Sequence, residues 1–485
     1  MESKRVFICA DHGLAIFYFL KSEIVPVLID AGNEVIMLTE DNSVNEVRER
    51  FGRPGLTVEG LRLDQVQNYV QTVSPSTQWW LDFLRRAGPS DKINLAVPES
   101  YIGMTRYEAG GRRKTVFPFV LGYAKMMRKV KPLRKALVNY QGRFTPNIYS
   151  DLFEKYQPDL VIAASPGFRH DRYLLREATA RNIPTMAVII SWDSPSSYGL
   201  PGAKIDWATC WSEIQRQELV RGSDWQPERV NIGGMPPYDG YVTDEWVMPR
   251  EAYFKKHGLD PNRKLLTYAS SFTNWSPTIQ NVEALVDLVS SDKLVYPSQL
   301  LVRLHPVHMS GYCVPEADRI RQIAQENPLV HVVEPIPFAA LGHYSIEDLT
   351  ERASMMAHAD IFLTVFSTMC VEASFKEHPI ISVCIDSPNG YDDRFWLPLS
   401  EIGIWPTHSR FSASGAGRVV KTEAELQKAV NDYLQDPQAD LLAMRRFLKQ
   451  EVTFTDGSAG KQTARFILEL LENGNGSKAA NASGN

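Results

Sequence analysis

An arginine and a histidine stand together where an apolar run ends, in the stretch Val-Arg-Leu-His-Pro at residues 302–306. Arg303 carries a permanent positive charge, and His305 can donate a hydrogen bond to a phosphate oxygen or a ribose hydroxyl. Pro306 stiffens the turn that follows. The apolar run predicts a strand, so these side chains are expected at the edge of a sheet, where an anionic ligand could bind. A histidine that serves only the structure of a proline turn explains the motif equally well when it is considered alone.

Two hydroxyl residues and a glutamate follow another predicted strand in the same half of the chain. Ser367 and Thr368 open a predicted helix, and Glu372 comes about one helical turn later. Hydroxyl and backbone N–H groups at the start of a helix can hold an anion, and a carboxylate there can accept hydrogen bonds from a ribose diol. A simple helix cap explains these residues one at a time, but not why a neighbouring strand also ends in polar groups. Ser270 and Ser271 give a third polar strand end.

Candidates for a proton acceptor lie at strand ends in the first half of the chain. Asp193 follows a predicted strand at 183–191, and Asp11 and His12 follow the first strand. Each could take the proton from a hydroxyl group, which is the task of a general base in group transfer. The sequence leaves the choice open. Asp193 precedes Pro195 and could cap a turn, while Asp11 and His12 could belong to an ordinary strand-to-helix loop.

Positive charge is concentrated in two parts of the first half. Arg169 and His170 end a strand and could bind an acceptor or a phosphate group, although a solvated loop is an equally good interpretation. Residues 111–143 contain ten Lys and Arg residues and no acidic residue. Six of these cations are interleaved with apolar residues: Lys125, Arg128, Lys129, Lys131, Arg134 and Lys135. That mixture is typical of a segment lying on an anionic membrane surface; a solvated helix face or a cationic wall of a substrate cleft is the alternative.

The composition is that of a globular protein with more than one domain. The chain has 485 residues, of which 44% are hydrophobic and 22% charged, and its net charge is −5. This length exceeds what one core usually supports, and the charge gives no reason to expect nucleic acid as a partner. Five scattered cysteines without a Cys-x-x-Cys pair indicate a reducing compartment. Because no apolar stretch reaches about 18 residues and no signal-peptide pattern is present, we expect a cytoplasmic protein.

Apolar runs with β-branched residues alternate with helical spacing along the chain, in two series. The first series predicts strands at 5–11, 34–40, 158–166, 183–191, 207–211 and 228–234. The second series predicts strands at 264–271, 299–305, 330–335, 359–367 and 379–386. Runs this apolar are typical of parallel sheets covered on both faces. The sequence therefore predicts an α/β protein of two tandem Rossmann-like, doubly wound domains that face each other across a cleft.

The domain boundaries follow from the change in pattern between the two series. The first domain is expected at 1–245 with a less regular insertion at about 60–145, the second at 246–472, and a small, polar, disordered tail at 473–485. In doubly wound sheets ligands bind beyond the carboxyl ends of the strands. The polar strand ends described above are therefore expected to meet in the cleft.

The motifs of the second half resemble the nucleotide-sugar domain of GT-B glycosyltransferases. The resemblance is to families with an Arg-x-His-Pro turn and a later Ser-Thr and Glu-Ala segment, namely CDP-glycerol glycerophosphotransferases, CMP-sugar transferases and UDP-GlcNAc 2-epimerases. It implies that the donor nucleotide contacts five of the residues named above: Arg303, His305, Ser367, Thr368 and Glu372. It also favours a pyrimidine nucleotide, CMP, CDP or UDP.

Two segments of the first half add to the resemblance. Residues 191–219 are similar to a segment of bacterial cell-surface glycosyltransferases, although Ser194 and Tyr198 stand where Asn and Lys are usual. Residues 230–241 resemble the exit of the first domain into the linker. In the glycerophosphotransferases a histidine near the equivalent of Asp193 is the proposed base, and the resemblance implies that Asp193 replaces it.

These observations together predict a GT-B glycosyltransferase of surface polysaccharide synthesis. Its partners would be a nucleotide-sugar donor and a glycan or lipid-linked acceptor, and it would lie in the cytoplasm or peripherally on the inner face of the plasma membrane. The adjacent aspartates at 392–393 lack the spacing of an Asp-x-Asp metal motif, so no metal site and no cofactor are expected. A UDP-sugar 2-epimerase, a CDP-polyol phosphotransferase and a non-catalytic nucleotide-sugar-binding subunit remain alternatives.

Overall fold

The chain folds into two α/β domains, each built on a parallel sheet, as the sequence predicted. The structure is a computed structural model. It describes residues 3–270, 278–291, 293–338, 342, 345–390 and 397–482, with the backbone alone at 312 and 474–482. Both sheets are flanked by helices, so the apolar strands are covered on both faces.

The sheet of the first domain has, among the described residues, seven parallel strands in the order β3-β2-β1-β4-β5-β6-β7. These strands are β1 (Arg5–Ala10), β2 (Glu34–Thr39), β3 (Leu56–Gly60), β4 (Leu160–Ala163), β5 (Thr185–Val188), β6 (Trp207–Cys210) and β7 (Val230–Ile232). In the central strand Ile8 pairs with Met37 on one side and Ile162 on the other, and all three are fully buried. The sequence does not predict the edge strand β3, because Val58 is its one buried residue and the strand contains no continuous apolar run.

The second sheet has six parallel strands in the described part of the chain, in the order β10-β9-β8-β11-β12-β13. These strands are β8 (Lys264–Ala269), β9 (Ser298–Arg303), β10 (Val330–Val333), β11 (Ile361–Thr364), β12 (Ile380–Val383) and β13 (Arg418–Val420). The predicted strands of the second series all form, though several are shorter than expected. The three-residue edge strand β13 was missed, since it is too short and too exposed for the pattern to show.

Helices connect the strands and form the insertion. In the first domain they are α1 (Gly13–Leu20), α2 (Ile24–Asp30), α3 (Val44–Phe51), α4 (Leu63–Thr72), α5 (Pro75–Ala87), α6 (Ala96–Glu108), α7 (Gly111–Lys129), α8 (Lys131–Gln141), α9 (Ser150–Tyr156), α10 (Asp171–Ala180), α11 (Ser194–Ser197), α12 (Glu213–Ser223) and α13 (Asp239–Val242). After the junction follow α14 (Arg250–His257), α15 (Ile279–Ser290), α16 (Val314–Glu326), α17 (Ile346–His358), α18 (Met369–Ser374), α19 (Pro406–Ser414), α20 (Glu423–Gln435), α21 (Leu441–Val452) and α22 (Ala459–Ala482).

The insertion, which the sequence predicted as less regular, consists mainly of the helices α4 to α8. It has an aromatic core of its own, in which Phe83 packs against Trp80 and Phe117. A buried arginine ties it to the first domain, because Arg85 Nη1 donates to the backbone carbonyl of Tyr198 at 2.6 Å. The insertion is therefore a packed part of the first domain.

The last helix, α22, crosses back onto the first domain. Its first N–H groups, at Ala459 and Gly460, donate to the carboxylate of Asp239 at 3.1 and 2.8 Å. Close packing also requires Gly234, which has a φ of +76° and whose missing Cβ would lie 2.8 Å from the Phe454 ring.

The end of the predicted second domain at 472 falls within α22, a helix that packs on the first domain. This helix extends to Ala482; the domain limits and the disordered tail at 473–485 stay predictions.

Candidate functional site

A cavity of about 220 Å³ lies between the two domains, at the carboxyl ends of β8, β9 and β11. We call it the cleft cavity. The second domain contributes seven of the residues that the sequence predicted for nucleotide binding: Ser270, Arg303, His305, Pro306, Ser367, Thr368 and Glu372. Ser271, the eighth predicted residue, lies outside the described residues, as do the aspartates at 392–393. The first domain adds Leu14, Phe17 and Ser191, and the stretch between β7 and α14, which we call the linker, adds Tyr238 and Tyr241.

The His-Pro turn is held by hydrogen bonds to the end of β8. His305 N–H donates to Ser270 Oγ at 2.8 Å, and this hydroxyl donates in turn to the carbonyl of Arg303 at 2.9 Å. His305 Nδ1 accepts from the N–H of Val307 at 3.1 Å, so the proton of a neutral ring is on Nε2. Buried His308, whose pKa burial lowers to about 4, accepts a second bond from His305 N–H. Ser270 thus positions the turn.

Arg303 forms a buried ion pair that the sequence did not predict. Its Nη2 donates to both carboxylate oxygens of Asp348, at 2.8 and 2.9 Å. Its Nη1 has no hydrogen-bond partner among the described residues. Much of the Arg303 charge is therefore compensated inside the protein, and Nη1 is itself buried without a partner there.

Glu372 is held by the linker between the domains. Tyr241 Oη donates to Glu372 Oε2 at 2.6 Å, and Arg352 Nη1 lies 3.6 Å from the same oxygen. Burial and the neighbouring Glu372 carboxylate raise the pKa of the Tyr241 hydroxyl well above its usual range, so it remains a donor. Glu372 lines the cavity, as expected from the sequence, but it also joins α18 to the linker.

Ser367 and Thr368 follow a strained backbone position. Phe366, which precedes them, has a φ of +33°, and its N–H donates to Ser382 Oγ at 3.1 Å. A non-glycine residue with this φ is uncommon, and such strain is concentrated at functional sites. Ser367 Oγ accepts from the N–H of Met369 at 3.2 Å, and both hydroxyl residues are half-buried in the cavity wall.

The two candidate bases on the first loop form one unit. His12 Nδ1 donates to Asp11 Oδ1 at 2.7 Å, and Arg169 Nε donates to Asp11 Oδ2 at 3.0 Å. Burial acts to raise the pKa of Asp11, but the hydrogen bond from His12 and the charge of Arg169 outweigh it and lower that pKa to about 2. Asp11 is therefore an ionised, buried anchor, and His12 points its other nitrogen, Nε2, away from it.

Asp193, the third candidate, begins the short helix α11 next to the cleft cavity. Its carboxylate accepts a hydrogen bond from Ser191 Oγ at 2.8 Å, and Ser191 lines the cavity. Nearby, burial raises the pKa of Glu218 to about 7, with Glu451 and Asp193 adding to the rise and Arg410 opposing it. Asp11, His12 and Asp193 are not themselves among the residues that line the cleft cavity. His12 lies two residues from Leu14 and Asp193 two residues from Ser191, which do line it, and Asp11 is bonded to His12.

Arg169 and His170 line a second cavity, of about 520 Å³, within the first domain. We call it the arginine pocket, after four of its lining residues: Arg113, Arg169, Arg172 and Arg176. The sequence singled out Arg169 and His170 but not the other arginines. Those belong to α7 and α10, and only the fold brings the two helices together.

The basic segment 111–143 divides into buried and exposed cations. Arg128 is buried and pairs with Glu99, and Arg134 is buried and pairs with Asp224, so these two of the six cations stabilise the fold. The other four are exposed: Lys125, Lys129, Lys131 and Lys135. Five exposed apolar residues recur at helical spacing along and just beyond α7: Val116, Phe119, Tyr123, Met126 and Val130. We call them the α7 stripe. No helix in the described part of the chain has the length and apolarity needed to cross a membrane.

The architecture is similar to that of several solved structures. A glycosyltransferase from Rickettsia africae matches over 98% of this chain and 99% of its own, with a TM-score of 0.52 and 10% identity. A structure of S. aureus MnaA with UDP matches over 97% of both chains, with a TM-score of 0.52 and 12% identity. A UDP-GlcNAc 2-epimerase from Methanocaldococcus jannaschii matches over 96% of this chain and 99% of its own, with a TM-score of 0.52 and 10% identity. No protein-family model and no curated protein matches the sequence.

These similarities extend over both domains, so the chain has the two-domain GT-B fold that the sequence predicted. At 10–12% identity they establish the fold and not the reaction. The resemblance to the CDP-glycerol families stays a prediction.

Proposed function

We propose that this protein transfers a sugar from a nucleotide-activated donor to an acceptor, with the donor nucleotide in the cleft cavity. One observation carries the proposal: the ends of β9 and β11 present Arg303, His305, Ser367 and Thr368 to a single cavity between two Rossmann-like domains. Crevices at the carboxyl ends of parallel strands are where such domains bind nucleotides. The half-buried donors there are the His305 ring and two hydroxyls, which suit phosphate oxygens, and the buried Arg303 guanidinium adds positive charge.

The donor groups would also assist the reaction. In transfer, the acceptor oxygen loses its proton to a base and bonds to the anomeric carbon. The bond from that carbon to the phosphate oxygen breaks, and its electron pair leaves with the nucleotide. Hydrogen-bond donors that already face the phosphate stabilise the charge that develops on it without rearranging.

His12 is the residue that we favour as the base. Its Nδ1–H bond to the buried Asp11 carboxylate fixes the tautomer in which Nε2 carries a lone pair, and Asp11 stabilises the imidazolium that forms. Asp193 remains the alternative, since its carboxylate lies beside Ser191 in the cavity wall. We expect His12→Asn, which retains a donor to Asp11, to lower the transfer rate by about 10²- to 10⁴-fold and to leave donor affinity unchanged. If Asp193→Asn is inactive and His12→Asn is active, the assignment of the base is reversed.

Nucleotide binding can be tested separately from transfer. Titration calorimetry with CMP, CDP, UDP and GDP should reveal a pyrimidine preference; the UDP in the S. aureus MnaA structure makes UDP the first probe. His305→Asn keeps an acceptor for Val307 N–H but has no atom at the position of Nε2. It should weaken nucleotide binding by about 10- to 150-fold at unchanged thermal stability. His331→Asn, a change on β10 outside the cavity lining, is the matched control. Equal nucleotide affinity in both variants would contradict the placement of the donor.

A 2-epimerase is the second candidate, because solved structures of UDP-GlcNAc 2-epimerases share this fold. The two activities differ in what they require. An epimerase converts a UDP-sugar in the absence of an acceptor, whereas a transferase releases free nucleotide, slowly with water and faster with its acceptor. Chromatography of UDP-GlcNAc and CMP-sugars after incubation with the protein distinguishes them. Nucleotide-sugar binding without epimerised sugar or free nucleotide would indicate a non-catalytic subunit. Release of a polyol phosphate from a CDP-polyol would indicate a phosphotransferase.

We further propose that α7 rests on an anionic membrane surface, which would bring the cleft to a lipid-linked acceptor in surface polysaccharide synthesis. The α7 stripe supports this, because Phe119 is 79% exposed on a helix that also carries exposed Lys125 and Lys129. Apolar side chains flanked by lysines are the composition of interfacial helices. Each lysine near the surface contributes about 1 kcal/mol of attraction to anionic lipid.

Co-sedimentation with vesicles tests this attachment. Binding should require anionic lipid, decrease as salt rises, and fall strongly in a Phe119→Ser, Met126→Ser double variant. Changing Lys125, Lys129 and Lys135 to Gln should also abolish it. The matched control changes three exposed lysines of the second domain, Lys293, Lys421 and Lys428, to Gln. Vesicle binding that is equal in the control and in the α7 variants would contradict the proposal.

A further inference from the structure

The arginine pocket contains more positive charge than its own carboxylates compensate. Its walls are α4, α5 and α7 of the insertion, together with the loop before α10 and α10 itself. Four guanidinium groups line it, and among its described lining residues Asp82 is the one carboxylate. Buried charge in proteins is normally paired, so an excess of one sign at a cavity indicates a ligand of the other sign.

Arg176 shows the excess most clearly. It is 6% exposed, and its hydrogen bonds to the described residues all go to neutral oxygens: Gly202 O at 2.7 Å, Phe144 O at 3.1 Å and Gln141 Oε1 at 3.3 Å. Burial, and then the charge of neighbouring Arg172, lower the pKa of the Arg176 guanidinium to about 9. An anion in the pocket would stabilise this charge, which the protein itself orients but does not neutralise.

Asp82 cannot compensate the remaining arginines, because several share it. Its Oδ1 accepts from Arg172 Nη1 at 2.9 Å and from Arg85 Nη2 at 2.9 Å, and its Oδ2 lies 3.3 Å from Arg86 Nε. Arg113 is a further, exposed cation at the rim, stacked at 4.4 Å over the ring of Trp79.

The walls between the arginines are aromatic. Trp79, Phe144, Phe168 and Tyr173 line the pocket, and Phe168 stacks on Tyr198 with a centroid distance of 5.1 Å. Aromatic faces beside polar groups suit the apolar face of a sugar ring. A cavity of about 520 Å³ has room for one or two sugar rings.

Arg169 connects this pocket with the candidate base. Its side chain is 52% exposed and lines the pocket, while its Nε donates to Asp11, the anchor of His12. His12 directly precedes the helix α1, whose Leu14 and Phe17 line the cleft cavity. His12 lines neither cavity, but it is connected with the arginine pocket through Asp11 and Arg169 and with the cleft cavity through α1.

We propose that the arginine pocket is the acceptor site and that it selects an acidic saccharide, whose phosphate or carboxylate group binds among Arg113, Arg172 and Arg176. This inference rests on the proposed transfer function for its acceptor role; the anion site itself does not. Guanidinium groups bind both phosphates and carboxylates through paired N–H donors, so the pocket chemistry fits either acid.

Titration of the full chain with three sugars tests the proposal: α-D-glucose 1-phosphate, D-glucuronate and D-glucose. At least one acidic sugar should bind better than glucose, and comparison of the first two identifies the anionic group. Arg113→Gln should weaken binding of that sugar by about 10- to 100-fold, and Arg113→Lys by less. Arg112→Gln, the adjacent exposed arginine outside the pocket lining, should leave it unchanged. UDP affinity should be the same in all three variants.

The outcomes test the anion site separately from its role as the acceptor site. Equal binding of acidic sugars and glucose, or equal losses in Arg113→Gln and Arg112→Gln, would overturn the anion site even if UDP binds as proposed. Inorganic phosphate binding as tightly as glucose 1-phosphate would overturn the saccharide part. Arg113-dependent binding of an acidic sugar without any nucleotide binding would retain the anion site and overturn its role as acceptor site.

Discussion

The cleft cavity and the arginine pocket differ in whether their charged side chains are paired with charges of opposite sign. In the cleft cavity, Arg303 is paired with Asp348, and Arg352 lies within 4 Å of carboxylate oxygens of both Asp348 and Glu372. In the arginine pocket, Arg176 is held by neutral carbonyl and amide oxygens. In the first arrangement two arginines face two carboxylates, with Lys21 as one further cation in the cavity lining, and the second is a cluster of positive charge.

The difference indicates two kinds of recognition. Paired charges fix each other's positions, so the cleft cavity offers pre-arranged donors at definite points, which favours orientation of one ligand. Unpaired positive charge attracts anions over a longer distance and loses strength as salt rises. We therefore expect nucleotide binding in the cleft to depend less on ionic strength than binding of an acidic sugar in the arginine pocket.

The largest effect is expected from breaking the charge pair of the cleft. Asp348→Ala leaves Arg303 buried without its carboxylate and should lower the free energy of unfolding by about 3–5 kcal/mol. Urea unfolding of the parent and the variant at pH 7 measures this difference in the free energy of unfolding. Glu347→Ala, which removes the neighbouring, 56% exposed carboxylate, should cost less than about 1 kcal/mol. Similar values for both variants would mean that the cleft charges are not strongly paired.

An intermediate effect is expected from removing the carboxylate of the arginine pocket. Burial tends to raise the pKa of Asp82, but Arg85, Arg172 and Arg86 hold it well below its usual range. The stability that this carboxylate provides is therefore present above about pH 4 and is lost as the pH falls further. Asp82→Asn should cost about 2 kcal/mol at neutral pH, because fully buried Arg85 loses its counter-ion.

Urea unfolding of the parent and of Asp82→Asn at pH 7 and pH 3 checks this sign. The difference between them should shrink at pH 3, because the unfolded chain then binds a proton at Asp82 while the folded parent still holds this carboxylate ionised. The same variant should bind acidic sugars more tightly. A difference that stays constant with pH would contradict the ionised state of Asp82.

The smallest effect is expected at the linker. Tyr241→Phe removes a hydroxyl that donates to Glu372 Oε2 and should lower the free energy of unfolding by about 1–2 kcal/mol. Nucleotide affinity should fall by less than about tenfold, since the carboxylate keeps its place near Arg352. Tyr296→Phe, at an exposed site, should change stability by less than about 0.5 kcal/mol. A larger loss of nucleotide affinity in Tyr241→Phe than in His305→Asn would place the linker, and not the His-Pro turn, at the ligand.

The sequence by itself determined the two parallel sheets and the meeting of the polar strand ends. Continuous apolar runs identify central strands because these must be buried on both faces, and the carboxyl ends of parallel strands necessarily lie at one edge. That is why Arg303, His305 and Ser367, scattered along the chain, share one cavity. The same criterion missed the edge strands β3 and β13, whose exposed residues give no such run.

Only the tertiary structure decided which charges are paired. Arg303 pairs with Asp348, 45 residues away, and Tyr241 bonds to Glu372, 131 residues away, whereas the hydrogen bonds of Arg176 within the described part of the chain go to neutral oxygens. The tertiary structure also buries Arg128, although the sequence around it is basic throughout. A side chain's local pattern gives its charge and its approximate exposure. Its partner depends on how separate helices pack, and that is set by contacts across the whole fold.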